Sequence, residues 1–170
     1  MTNSNDAKRV QDEKSTKLHR AEKRPQFRAR AAYHEAGHAV AAVALSIQVE
    51  SISLHPDKRR GTREWYSEAR TTFKQGENMY GDEAVMILLA GAAAQRRHAP
   101  FSRFTAMGDY EKAEALVFYG VKAEAAALAL FQKRWDWLAA ETSKLIEANW
   151  SVIDAVARHL LAEGRLAVLK

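Results

Sequence analysis

Positions 34 to 38 read His-Glu-Ala-Gly-His, two imidazoles four residues apart with a carboxylate between them. On a helix, residues i and i+4 lie on one face with Cβ atoms about 5–6 Å apart. His34 and His38 can therefore bring two ring nitrogens to one zinc ion at about 2.0–2.1 Å. Glu35 projects at a neighbouring angle, where it can act on a metal-activated water without binding the metal. Its role would be general base, taking a proton from the water and passing it to a leaving amine. The flanking residues favour this reading over a helix with incidental histidines. From Ala31 to Ser46 Glu35 is the only formally charged residue, among small apolar neighbours. A lone carboxylate on such a helix is costly to bury unless it is paired or lies near a cation.

Catalytic zinc usually takes three protein ligands. The residues after His38 are AVAAVAL, so no third histidine follows in the HExxHxxGxxH pattern. The other candidates are His55, His98, His159, Glu83, Asp109, Glu111 and Glu114. Asp109 and Glu114 open a helix after a loop with two phenylalanines, Phe101 and Phe104, that need burial. His98 is a reserve ligand in the preceding helix. Asp109 also follows a glycine at a helix start, where aspartate is a common N-cap.

The elements that must position these residues are mostly helical. An alanine-rich helix is expected from about Gln26 to Ser46. VESISLHP (49–56) alternates apolar and polar residues and ends in proline, as a strand does. REWYSEARTTF (63–73) carries the aromatics and threonines of a second strand, so the two could form a hairpin or a small sheet. Helices are predicted over 82–98, 109–120 and the stretch from 121 to 164, the last as a long and a shorter helix. Acids open the 82–98 helix and RRH closes it, as the helix dipole favours. The fold class is mainly α (α+β), with a small β element after the HExxH helix. Trp135, Trp137 and Trp150, with Phe131 and Leu138, read as core packing of the long helices.

With these motifs on the page, the chain resembles the peptidase domain of the FtsH-type zinc metalloproteases, the membrane AAA proteases. AAYHEAGHAVAA is similar to that family's AYHEAGHAVVA helix, and VESISLHP to the strand after it. EAVMILLAGAAAQR is similar to the helix around LGGRAAEE, with Gly91, Ala93 and Ala94 in register. TAMGDYEKAEAL resembles GASNDLxxAT, whose aspartate is the third zinc ligand, and Asp109 falls on it. The resemblance covers roughly residues 28 to 165. It implies zinc held by His34, His38 and Asp109, with Glu35 as general base. The implied activity is hydrolysis of peptide bonds in unfolded or flexible polypeptides. The strand near Arg63–Phe73 would offer backbone groups to an extended substrate by β-addition. The chain also departs from the family. It contains no GxxxxGK[ST] and no transmembrane segment, and GGRAAEE becomes AGAAAQR. The resemblance thus implies a peptidase-like domain without its ATPase module, with a separate unfoldase as partner for folded substrates. The alternative is a catalytically silent zinc-binding domain of the same fold, with a regulatory or protein-interaction role.

Composition bounds these readings. The chain has 170 residues and no cysteine, so any metal must be held by His, Asp or Glu. The N-terminus lacks the hydrophobic stretch of a secretory signal, and a cytoplasmic protein is expected. Residues 1–30 carry nine Lys/Arg against four Asp/Glu, whereas residues 31–170 carry seventeen of each. The basic excess therefore belongs to a tail, residues 1–27, expected to be disordered, ahead of a domain spanning 28–170. Such a tail can contact nucleic acid or an anionic surface. The KRR at 58–60 and the Arg pair at 96–97 could join it, but read better as a solvated turn and a helix C-terminus.

Overall fold

The computed structural model describes residues 26–54, 58–59, 65–66, 69–74, 81–100, 107–119 and 127–169. Residues 1–25 of the basic tail, His55, Phe101, Phe104 and Gly120 lie outside the described residues, whereas Gln26 and Phe27 belong to the first helix. Helix α1 runs over residues 26–44. Alanines dominate it, and from Ala32 to Ala42 every residue except the half-buried His34 is buried. A helix apolar on nearly all sides belongs in the middle of a core, and α1 lies between a sheet and two other helices.

Strand β1 (Val49–Leu54) is the centre of a three-stranded antiparallel sheet. Its neighbours are β4 (Ala69–Phe73) on one side and β5 (Arg165–Leu169) on the other. The register shifts between Val49 and Ser51. That irregularity lets Val49, Ile52 and Leu54 all reach the core although the first two are three positions apart. A separate two-stranded ribbon pairs β2 (Lys58–Arg59) with β3 (Trp65–Tyr66). The single strand expected over 63–73 is thus two strands with different partners. Strand β5 has no counterpart in the sequence reading.

Helix α2 (Gly81–His98) crosses α1 closely. A Cβ at Gly37 would come within 2.6 Å of the Ala90 carbonyl oxygen and 2.7 Å of Ala94 Cβ, so only glycine permits this approach. Helices α3 (Met107–Tyr119), α4 (Ala127–Ala148) and α5 (Trp150–Glu163) follow. Ile153, Val156, Ala157 and Leu160 of α5 repeat at helical spacing and are buried. Gly164 ends α5 in the left-handed conformation, at φ 72°, and its N–H donates to the Leu160 carbonyl. The chain then enters β5 directly.

Two apolar clusters result. The first gathers α1, β1, α5, one side of α2 and Ile146 near the end of α4. The second joins Val85 and Leu89 of α2 to Ala113 and Val117 of α3 and Leu138 of α4. Helix α2 is their common wall, and Arg134 of α4 fastens to Asp82 at its start with contacts of 2.6 and 3.0 Å. The tryptophans divide between these regions. Trp135 and Phe131 stack in the second cluster, Trp150 packs on the first, and Trp137 is half exposed. No described helix is long and apolar enough to cross a membrane.

Candidate metal centre

His34 and His38 leave the same face of α1, toward α2 and the first turn of α3. Asp109 reaches them from α3. The His34 Nε2 to Asp109 Oδ2 distance is 2.9 Å, and His38 Nε2 lies 3.0 Å from His34 Nε2 and 3.4 Å from the same carboxylate oxygen. Among the described residues these three form the one group of potential ligand atoms able to converge on a metal ion. Tetrahedral ligands at zinc bond lengths stand about 3.4 Å apart, so the triangle is close to the size an ion needs. Three atoms with lone pairs at this spacing repel unless protons or a cation lie among them. Geometry and donor chemistry both fit a divalent ion held by two imidazoles and one carboxylate.

The surroundings fix the ligands. His38 Nδ1 donates to the Ile87 carbonyl at 2.7 Å. That leaves the lone pair of the neutral ring on Nε2, the atom facing the group. His34 Nδ1 is buried with no partner among the described residues. Gly91 of α2 lies directly beneath both rings. A Cβ there would be 2.6 Å from His38 Cε1, 2.9 Å from His34 Cε1 and nearer still to His38 Nε2. Gly91 is therefore a requirement of the site, not only of helix packing. On the far side of Asp109, Arg96 of α2 donates to the Tyr110 hydroxyl at 3.0 Å and ties α3 to α2.

Electrostatics follow the geometry. Burial opposes the ionisation of Asp109, but hydrogen bonds from His34 and His38, and their charges, outweigh it. The carboxyl is held well below the usual carboxylate range. For His38, burial works against protonation. The hydrogen bond to Asp109, the charges of Glu35 and Asp109 and the Ile87 carbonyl outweigh it and raise its pKa.

Glu35 is buried beside the ligands yet stands outside the converging group. Its Oε2 accepts a hydrogen bond from the Thr71 hydroxyl of β4 at 2.8 Å. The same hydroxyl is 3.2 Å from the Glu35 main-chain carbonyl. Ala69 and Phe73, the residues two before and two after Thr71, pack on the first cluster. Thr71 is thus the polar member of an inward-facing row. That break in an apolar alternation was the sequence signal for it, and it went unread.

The remaining candidates separate from the site. Glu83, Glu111, Glu114 and His159 are exposed. Asp109 is the third residue of α3, inside its first turn, so it is not the helix cap. His98 stacks on Tyr33, ring centroids 3.7 Å apart and planes within 10°. Tyr33 in turn donates to Asp154 of α5 at 2.5 Å and stacks on Trp150. Burial lowers the pKa of His98, and the Asp154 charge offsets only part of this. Arg97 lies over Trp150 and pairs with Glu147, so the arginine pair at 96–97 serves internal contacts. Strand β4 forms one edge of the three-stranded sheet. No protein-family model matches the chain, and no curated protein shows a significant match to it.

Proposed function

We propose that this protein is a zinc-dependent metalloendopeptidase in which His34, His38 and Asp109 hold the metal and Glu35 is the general base. The observation that carries the reading is the convergence of three ligand atoms within 3.4 Å, from helices 75 residues apart in sequence, with a buried carboxylate beside them. A purely structural metal site has no need of that fourth group. A bound zinc ion would supply Lewis acidity toward a carbonyl and toward water.

The chain's own residues do the rest. The Ile87 carbonyl holds the His38 ring in one tautomer. Gly91 keeps the floor of the site free of side chain. Glu35, outside the ligand set, would accept a proton from an attacking water and return it to the departing amine. The edge of β4 offers main-chain groups to an extended polypeptide, which suits unfolded or flexible substrates. The resemblance to the peptidase domain of the membrane AAA proteases supports the same assignment. It also makes a separate unfoldase the partner for folded substrates.

The same donor set also accepts other divalent metals, ferrous iron among them, so the first experiment is metal analysis. The protein should carry about one zinc per chain. Hydrolysis of casein should then be abolished in Glu35→Gln with zinc content unchanged. Zinc retained with no hydrolysis by the wild type would leave a metal-binding interaction domain. Equal hydrolysis by both forms would remove Glu35 from the reaction.

A further inference from the structure

We infer that Thr71 is the positioning residue for Glu35, a hydroxyl clamp on the edge strand that sets the direction of the carboxylate. The inference rests on the peptidase reading for its functional meaning, but the contact is tested without it. One hydroxyl spans two acceptors of a single residue, Oε2 of Glu35 at 2.8 Å and its main-chain carbonyl at 3.2 Å. A hydroxyl has one proton to give, and the carboxyl oxygen at 2.8 Å is the nearer acceptor. The effect is to anchor the Glu35 carboxylate to β4, with the same hydroxyl resting beside the Glu35 main-chain carbonyl. Rotation of the Glu35 side chain is thereby restricted.

No other contact among the described residues does this. Among the described residues Thr71 is the hydrogen-bond donor to the Glu35 carboxylate, and no cation pairs with it. Without Thr71 the carboxylate would be free to swing toward Asp109 and the histidines and compete as a ligand. With it, one oxygen is engaged and the other is available for proton transfer.

The clamp comes from β4. Thr71 pairs with Ile52 of the central strand β1, so its backbone is anchored in the sheet. An extended polypeptide adding to the β4 edge would lie against the same strand that aims the base. Substrate seating and base alignment thus share one element. Removing the hydroxyl leaves the strand, and therefore the seat, in place.

Two variants and two readouts test this. Thr71→Val keeps the β-branched shape and deletes the donor; Thr71→Ser keeps the donor. In the metal-free protein, Thr71→Val should lower the thermal midpoint in the wild-type background and leave it unchanged, or raise it, in a Glu35→Ala background. The same shift in both backgrounds would overturn the inference, whatever the protein's activity. In the zinc-loaded protein, Thr71→Val should lower kcat for a peptide substrate about ten- to hundredfold, with KM and zinc content near wild type. Thr71→Ser should restore most of the lost kcat. A fall in kcat that Ser does not rescue, or a change confined to KM, counts against the clamp. If wild type and Glu35→Gln cleave equally, the peptidase reading fails while the thermal comparison still decides whether Thr71 holds Glu35.

Discussion

Gly91→Ala adds one methyl group at the point where α2 meets the two histidines. That carbon would lie 2.6 Å from His38 Cε1 and 2.9 Å from His34 Cε1. Comfortable contact begins near 3.4 Å, so the His38 ring must retreat by most of an ångström. Moving the helices apart instead would open the close packing of Gly37 on the Ala90 backbone and Ala94. A retreating ring lengthens the 2.7 Å bond from Nδ1 to the Ile87 carbonyl beyond useful range. The stability terms are overpacking at about 1–3 kcal/mol and a buried hydrogen bond at about 1 kcal/mol. The better helix propensity of alanine returns about 1 kcal/mol. A net loss of about 1–3 kcal/mol leaves the fold intact in a domain of ordinary stability. Metal binding should suffer far more. Displacing a second-shell partner of a ligand already costs about 10–100-fold in affinity, and here the ligand itself moves. Competition with a chromophoric chelator measures the affinity, and urea unfolding of the metal-free protein measures the stability. Gly108→Ala is the control: it lies on α3 next to Asp109, with nothing among the described residues within 4 Å of the added carbon. It should leave metal affinity unchanged. Wild-type affinity in Gly91→Ala would refute the view that α2 forms the floor of the metal site.

Four other outcomes follow from the same geometry. Asp109→Asn keeps the size of the side chain but removes the charge, so zinc should be lost while the α3 helix signal by circular dichroism persists; unchanged zinc content would exclude Asp109 as a ligand. Metal uptake should release a proton from His38, whose pKa is raised above 6.5, so affinity should climb with pH through neutrality; calorimetry in buffers of different ionisation enthalpy would detect the release. Without metal the sign reverses. The raised His38 stabilises the fold below its unfolded pKa of 6.5 and loses that contribution as pH rises. The depressed Asp109 stabilises it above its unfolded pKa of 3.8 and loses that contribution on acidification. Stability of the metal-free protein should therefore fall as pH rises past the ordinary histidine range, and zinc should abolish the fall. Finally, His98 is held neutral by burial, so its folded pKa lies below 6.5 and its contribution disappears as pH falls through that value. His98→Phe preserves the stack on Tyr33 and should make thermal stability less sensitive to acid below neutrality; an unaltered profile would show that the stack carries no titration.

Much of this was readable in advance, and for identifiable reasons. The helices around HEAGH and at 82–98 declare themselves through alanine content, end charges and uninterrupted length. The pair His34 and His38 depends only on helical periodicity, which is local. Asp109 was open among several acids until a resemblance singled it out, because nothing local distinguishes a ligand from a cap. Strand β5 was missed because five residues after a helix carry too little pattern, and its pairing with β1 brings together segments more than a hundred positions apart. Gly91 was not legible as a site residue for the same reason, because it is defined by what a missing carbon would strike on another helix. Thr71 left only a faint mark, a polar residue between the inward-facing Ala69 and Phe73, and its partner lies on a helix distant in sequence.

The two histidines sit on α1, inside the first apolar cluster, whereas Asp109 sits on α3, which packs in the second. An ion at this centre would therefore be a cross-link between two halves of the protein. The loop it closes spans 75 residues. By the chain-entropy relation for a cross-link, closing a loop of that size restricts the unfolded chain by an amount equivalent to about 4 kcal/mol. Hydrogen exchange should accordingly show α3 opening ahead of α1 and the sheet in metal-free protein, whereas the end of α4 is held by Ile146 in the first cluster. With metal bound, both halves should exchange as one cooperative unit. The centre proposed for cutting other chains would then also govern whether this chain unfolds in one step or two.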